Sequence, residues 1–165
     1  MCVKNINTNI CCYKNVTTVN DNAVVYSQPI SRIKVKKDSN DKLFTGPFVI
    51  AVQINMLGTD NASEKTNNIV EKRAKIDFKI RITKTNHDPA KQLSLDLDDF
   101  SIDLNNEVLQ QACYEFYNQT RVVQVNDLFL QGGAGQYVIK VLVKESDSDK
   151  WVVQSMSMLN MISQD

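Results

Sequence analysis

The stretch from Leu128 to Met161 limits the fold more than any other part of the chain. Within it Tyr137, Ile139, Val141 and Val143 alternate with Gln136, Val138, Lys140, Leu142 and Lys144. A period of two places the first set on one face of a strand. That face is apolar with a single hydroxyl, and the other is only partly polar. Gly132, Gly133 and Gly135 precede the strand and allow the positive φ values of a tight hairpin turn. Ser146-Asp-Ser-Asp149 follows it, a second turn of residues that bond their own backbone, and Trp151-Val-Val opens the next strand.

The rest of the chain repeats this pattern. Asn5 to Tyr13 reads as an opening strand with Ile10 and Cys12 on one face. Ala23–Tyr26 and Ile30–Val35 read as short strands split by Pro29, the second with Ile33 and Val35 set against Arg32, Lys34 and Lys36. In Pro47–Leu57 both alternating sets are apolar: Phe48, Ile50, Val52, Ile54 and Met56 on one side, Val49 and Ala51 on the other. Burial on both faces marks a central strand. Ile69–Thr83 alternates most cleanly, with Ile76, Phe78, Ile80 and Ile82 inward and Lys75, Asp77, Lys79 and Arg81 outward. Leu93 to Leu104 suggests a strand bent near Asp98-Asp99, and Arg121 to Leu130 another. Residues 58–68 and 84–92 read as polar loops. Residues 105–117 are the main helix candidate, with Asn105 or Asn106 as cap and Val108, Leu109, Ala112, Cys113 and Phe116 on one side. The aromatic run Tyr114–Tyr117 makes a strand its competitor.

This order predicts an all-β chain. The expected architecture is a two-sheet antiparallel β-sandwich, with one short helix near 105–117, in a single domain over residues 1–165. An α+β domain is the alternative, requiring helices at both 105–117 and about 62–73. At 165 residues the chain can bury one sizeable core.

Formal net charge is zero, so bulk electrostatics do not support a nucleic-acid binder. The first nine residues lack the apolar segment of a signal peptide, and no apolar run reaches membrane-spanning length. Cys2, Cys11, Cys12 and Cys113 are few and irregularly spaced, which suits free thiols in a reducing compartment. A cytoplasmic location is the expectation. The Asn-x-Ser/Thr sites at Asn15, Asn61 and Asn118 matter only if the chain is secreted.

Candidate chemistry is sparse. His87 is the lone histidine, so any His-dependent mechanism, including a Cys113/His87 dyad, must use it; a solvated loop histidine is the plainer reading. Asp96, Asp98, Asp99 and Asp103 form one acidic cluster, Asp147 and Asp149 another. Calcium takes several oxygen ligands, and Asp98, Asp99, Asp147 and Asp149 could supply them if the two loops meet. Strand alternation and turn formation explain the same residues without a metal. The Gly132–Gly135 run is no phosphate loop, because no Lys-Ser/Thr follows and a strand comes next. Arg32, Lys34, Lys36 and Lys37 form a small basic run, read as a solvated strand edge. Met156, Met158 and Met161 offer adaptable packing, in a core, on a sheet face or at an oligomer contact. No cofactor fingerprint or catalytic motif is present.

Three stretches carry a resemblance: Val25-Tyr-Ser-Gln-Pro-Ile-Ser-Arg-Ile33, Pro47-Phe-Val-Ile-Ala-Val-Gln53 and Leu128-Phe-Leu-Gln-Gly-Gly-Ala-Gly-Gln-Tyr-Val-Ile-Lys-Val141. Their order resembles small uncharacterised bacterial β-sandwich proteins of immunoglobulin-like or C2-like type. The Gly-x-Tyr at Gly135–Tyr137 is similar to the tyrosine corner of such sandwiches, whose hydroxyl ties a strand to the preceding loop. The resemblance implies a fold and no activity. The sequence is therefore read as an intracellular, non-enzymatic binding module of bacterial or phage origin. It would act through loops (58–68, 84–92, 132–135) or a sheet edge on a protein partner or a second copy of itself. The alternatives are a calcium-dependent C2-like lipid-binding module and a small enzyme using His87.

Overall fold

A computed structural model describes residues 6–19, 23–57, 75–86, 88–103, 116–145 and 148–163. The strands are β1 (Ile6–Tyr13), β2 (Val16–Val19), β3 (Ala23–Tyr26), β4 (Arg32–Lys37), β5 (Leu43–Thr45), β6 (Phe48–Leu57), β7 (Lys75–Lys84), β8 (Ser94–Asp103), β9 (Phe116–Val125), β10 (Gly135–Glu145) and β11 (Val152–Ser163). Among the described residues there is no α-helix, only a 3-10 turn at Pro89–Lys91. Most of the expected helix at 105–117 lies outside the described residues. Its last two positions, Phe116 and Tyr117, open β9 and pair with Leu57 and Met56. At these two positions the backbone is strand.

Three sheets form. One has the order β1-β6-β9, one the order β5-β4-β11-β10-β7-β8, and β2-β3 make a separate ribbon. Among the described strands all pairings are antiparallel except β4 with β11, which run parallel from Asn160↔Arg32 to Ser163↔Val35. The expectation of a wholly antiparallel arrangement is corrected at this point. A tight hairpin forces two strands to be antiparallel, and none joins β4 to β11. The chain instead enters β4 from the end of β1, where Ile30 N–H donates to the Cys12 carbonyl and Pro29 bridges Tyr13.

The alternation read from the sequence sets the core. Ile33 and Val35, Ile76 to Ile82, and Tyr137 to Val143 bring their inward sets from the larger sheet; Ile6, Ile10, Cys12, Phe48, Ile50, Val52 and Ile54 come from the smaller. All join one cluster. β6 is central in its sheet, and Val49 and Ala51 on its second face are buried as well. Polar contacts bind β1 to β11 across the sheets: Thr8 Oγ1 and Ser155 Oγ lie 2.6 Å apart, and Gln154 Nε2 donates to the Ile6 carbonyl at 2.6 Å. Gln154 is free to reach over because it is the extra residue of a bulge, between the pairs Val141↔Ser155 and Leu142↔Val153.

The glycine turn is not a hairpin between two paired strands. β9 pairs with β6, whereas β10 pairs with β7 and β11, so the chain changes sheets after Val125 and before the turn. Leu128–Leu130 already runs beside β5, at the edge of the larger sheet. Thr45 N–H donates to the Leu128 carbonyl and Leu130 N–H to the Leu43 carbonyl. That short segment satisfies the outer backbone groups of β5, which would otherwise be an open edge.

Candidate functional site

The residues singled out in the sequence are largely taken up by the fold. Tyr137 is buried, and its hydroxyl donates to the Gly133 carbonyl at 2.6 Å. This is the strand-to-loop tie the sequence suggested. Gly133 has φ +75°, a conformation that a side chain disfavours. Lys84 Nζ donates to the Gly132 carbonyl, and a Cβ at Gly132 would collide with the Lys84 stem. The 132–135 loop is thus pinned from two sides rather than held ready for a ligand. Residues 58–68 lie outside the described residues, as do His87 and Cys113. In the remainder of 84–92, Asp88 bonds the Ala90 N–H and pairs with Lys91.

The acidic cluster separates by face. A bulge between the pairs Ile80↔Asp98 and Arg81↔Asp96 leaves Leu97 as the extra residue of β8, which is the bend the sequence placed one position later. Asp98 stands opposite Ile80 on the core-facing side. There it accepts a fork of two bonds from Arg121 of β9, at 2.7 and 3.2 Å. Arg121 also lies over the Phe100 ring, 5.1 Å from its centroid. Asp99 is opposite Lys79, on the other face. Asp96 takes Arg81 at 2.5 Å and Lys79 at 3.0 Å. The Arg81 bond, followed by the Lys79 bond, holds the Asp96 carboxyl below its ordinary range against an opposing push from burial. Asp77 is lowered in the same direction, first by the hydroxyl of Ser101 and then by Lys75 and Lys144. Asp149 sits in the β10–β11 turn, whereas Asp98 aligns through Ile80 with Val141 in mid-strand. Asp147 lies outside the described residues. Asp98 and Asp99 therefore do not meet Asp149, and no cluster of three metal-ligating residues occurs among the described residues.

The outward face of the larger sheet differs between its halves. On β7 and β8 Asp77 pairs with Lys75, and Asp96 with Lys79 and Arg81. On β11 the outward residues are Met156, Met158, Asn160 and Ile162, beside Lys140 and Val138 of β10 and Arg32 and Lys34 of β4. Met156 is 68 % exposed, Met158 62 % and Ile162 43 %. Met161 points the other way and is 2 % exposed, in the core. The methionines thus divide between core and open face, by strand parity. Trp151 closes one end of the stripe, 4.8 Å from Lys79 Nζ and 5.4 Å from Lys144 Nζ. Phe129, 45 % exposed, and Phe44 meet in a tilted pair with centroids 5.3 Å apart on the β5 side, with Lys42 above Phe129. The basic run read as a strand edge is in fact an inner border of this face, because β5 lies outside β4. Trp151, Arg121 and Gln154 were not recognisable from the sequence. Arg121 alone carried a signal, as a charge entering the valine-rich run that follows it.

No family model matches the chain, and no curated protein matches it. Among solved structures it is similar to a β-glucosidase from Listeria innocua in complex with isofagomine, at 8 % identity and a TM-score of 0.42. That match covers 96 % of this chain and 16 % of the other. The same enzyme in complex with gluconolactone matches at 8 % identity and a TM-score of 0.41, covering 94 % and 16 %. The chain spans about a sixth of the length of that protein. A likeness of this size establishes neither a family nor a chemistry.

Proposed function

We propose that the protein is a non-enzymatic binding module, and that it engages a macromolecular partner through the outward face of β11. The observation that carries this reading is the row Met156, Met158 and Ile162, open to solvent on a sheet whose other face is packed into the core. A sheet with one solvated face ordinarily lines it with polar side chains. An exposed apolar row beside charged side chains, here broken at Asn160, marks an interaction site. In this reading the two larger sheets are the layers of a β-sandwich of immunoglobulin-like or C2-like type, with Tyr137 as its tyrosine corner. The thiols of Cys11 and Cys12 are unpaired, which supports an intracellular, cytoplasmic setting. The pinned 132–135 loop favours the sheet face over the loops as the contact surface.

Native mass spectrometry of protein purified from its own host at modest salt tests the proposal. A defined macromolecule should accompany the wild type and be lost from M156D/M158D, whose melting temperature should match wild type because both side chains are outside the core. A partner retained equally by the double variant, or a bare monomer in both preparations, would contradict it.

A further inference from the structure

We infer that the β4–β5 end of the larger sheet binds single-stranded nucleic acid, with phosphates on Arg32, Lys34 and Lys36 and a base on the Phe44–Phe129 pair. This goes beyond the β11 reading above and does not rest on it. The register sets these side chains together. Ile33 and Val35 of β4 are buried in the core, so Arg32, Lys34 and Lys36 share the outward face. They place one cation about every 7 Å along about 13 Å of strand. Lys36 stands opposite Phe44, and Phe44 opposite Phe129. The bonds from Thr45 N–H to the Leu128 carbonyl and from Leu130 N–H to the Leu43 carbonyl flank that last pair. It is therefore the closely spaced kind of antiparallel pair, with both rings on one face. Leu128 and Leu130 on either side of Phe129 pack into the core, which leaves Phe129 outward and 45 % exposed. Gly46, beyond Phe44, has no atom within 4 Å of the place a side chain would start. The row of cations thus ends at two open rings.

Charge then selects the occupant. The chain's net charge is zero, so attraction for a polyanion has to be local. Lys42, 5.8 Å above the Phe129 ring, adds a fourth cation to the three of β4. None of the four has an ion-pair partner among the described residues. The outward positions of β4, of β5 and of residues 128–130 hold no Asp or Glu. Of the acids close by in the chain, Asp38 is taken by the backbone N–H groups of Asn40 and Lys42, and Asp41 pairs with Lys37. Asp127 stands in the turn ahead of Phe129, at φ +48°. Regularly placed cations that lead to exposed rings answer the two parts of a nucleotide, since the phosphates meet the cations and a base stacks on a ring. A carboxylate-rich peptide answers the cations alone.

The test uses the whole protein and a fluorescein-labelled oligothymidylate of about ten residues, followed by fluorescence anisotropy. An abasic oligomer and a polyglutamate of the same length are the controls. The oligothymidylate should bind at least about tenfold more tightly than either, the worth of one stacked base. Three neutralised phosphates predict about a 20-fold loss of affinity between about 50 and about 200 mM salt. Phe129→Ala should lose about tenfold for oligothymidylate and nothing for the abasic oligomer. K34A/K36A should weaken both and cut the salt slope to about a third. Both variants should melt as wild type does, because these side chains lie outside the core. M156D/M158D should bind oligothymidylate as wild type does. Equal affinity of the wild type for all three probes, or unchanged binding by Phe129→Ala and K34A/K36A, overturns the inference. So does loss of binding in M156D/M158D alone, which would move the site to β11. Absence of oligothymidylate binding overturns it too, and leaves the β11 reading to its own test.

Discussion

Tyr137 shows how one side chain fixes a loop. Its ring is buried in the core and its hydroxyl donates to Gly133, four residues back. Tyr137→Phe keeps the ring and leaves that carbonyl without its donor, so urea unfolding should show a loss of about 1 kcal/mol. The pairing of Gly135-x-Tyr137 was legible because the strand period and the glycines stand together in the chain. The Lys84 contact that completes the pinning was not, since it comes from β7, 48 residues away. Cys12 offers a second measurement. Burial, with the neighbouring Cys11 adding to it, pushes its thiol up to about 12. The thiolate is the nucleophile, so iodoacetamide at pH 8 should modify the partly exposed Cys11 and leave Cys12 untouched until the protein unfolds. Equal labelling of the two in the folded protein would contradict the placement of β1.

Strands whose sequence alternates cleanly are found where alternation puts them, as with β4, β7 and β10. β6 was legible as central because both of its sets are apolar. β5 was not, being three residues long, too short for a period to emerge, and β2 follows β1 with no glycine or proline to mark it off. The face of each acidic residue on β8 was equally hidden, because the bulge at Leu97 resets the alternation and only the partner strand shows it. Two predictions belong to this element. Arg121→Met removes the fork to Asp98 and the contact with Phe100, and should cost about 1 kcal/mol, with Arg121→Lys intermediate. Asp96 has a folded pKa below its unfolded one, so the unfolded chain takes up the proton first as pH falls. Its contribution is present above the ordinary carboxylate value of about 4 and is lost as pH falls through the lower folded value. Asp96→Asn should therefore flatten the acid limb of a melting-temperature profile below about pH 4 and lower the plateau above it. An unchanged acid limb would show that the pairs with Arg81 and Lys79 do not persist in solution.

At the scale of the molecule, the same strand, β11, both closes the core and opens the surface. Leu159 and Met161 face inward, Ser155 and Gln154 tie the sheet to β1, and Met156, Met158 and Ile162 face out. The sequence suggested adaptable methionine packing, and alternation sets Met161 opposite Met156 and Met158, but which of the two faces is the core one shows only in the pairing with β10. Nor could it show that the lysines of β4 lie beside that row, since the parallel pairing of β4 and β11 joins segments more than a hundred residues apart. The central claim is that this face is covered by a partner, and methionine oxidation reads it directly. Protein purified at modest salt is exposed to dilute hydrogen peroxide, before and after a high-salt wash that weakens charge-assisted contacts, and the sulfoxide at each methionine is measured. The account predicts that Met156 and Met158 oxidise several-fold faster after the wash, while the buried Met161 stays reduced in both. Equal oxidation of Met156 and Met158 before and after, or oxidation of Met161 as fast as theirs, would contradict it.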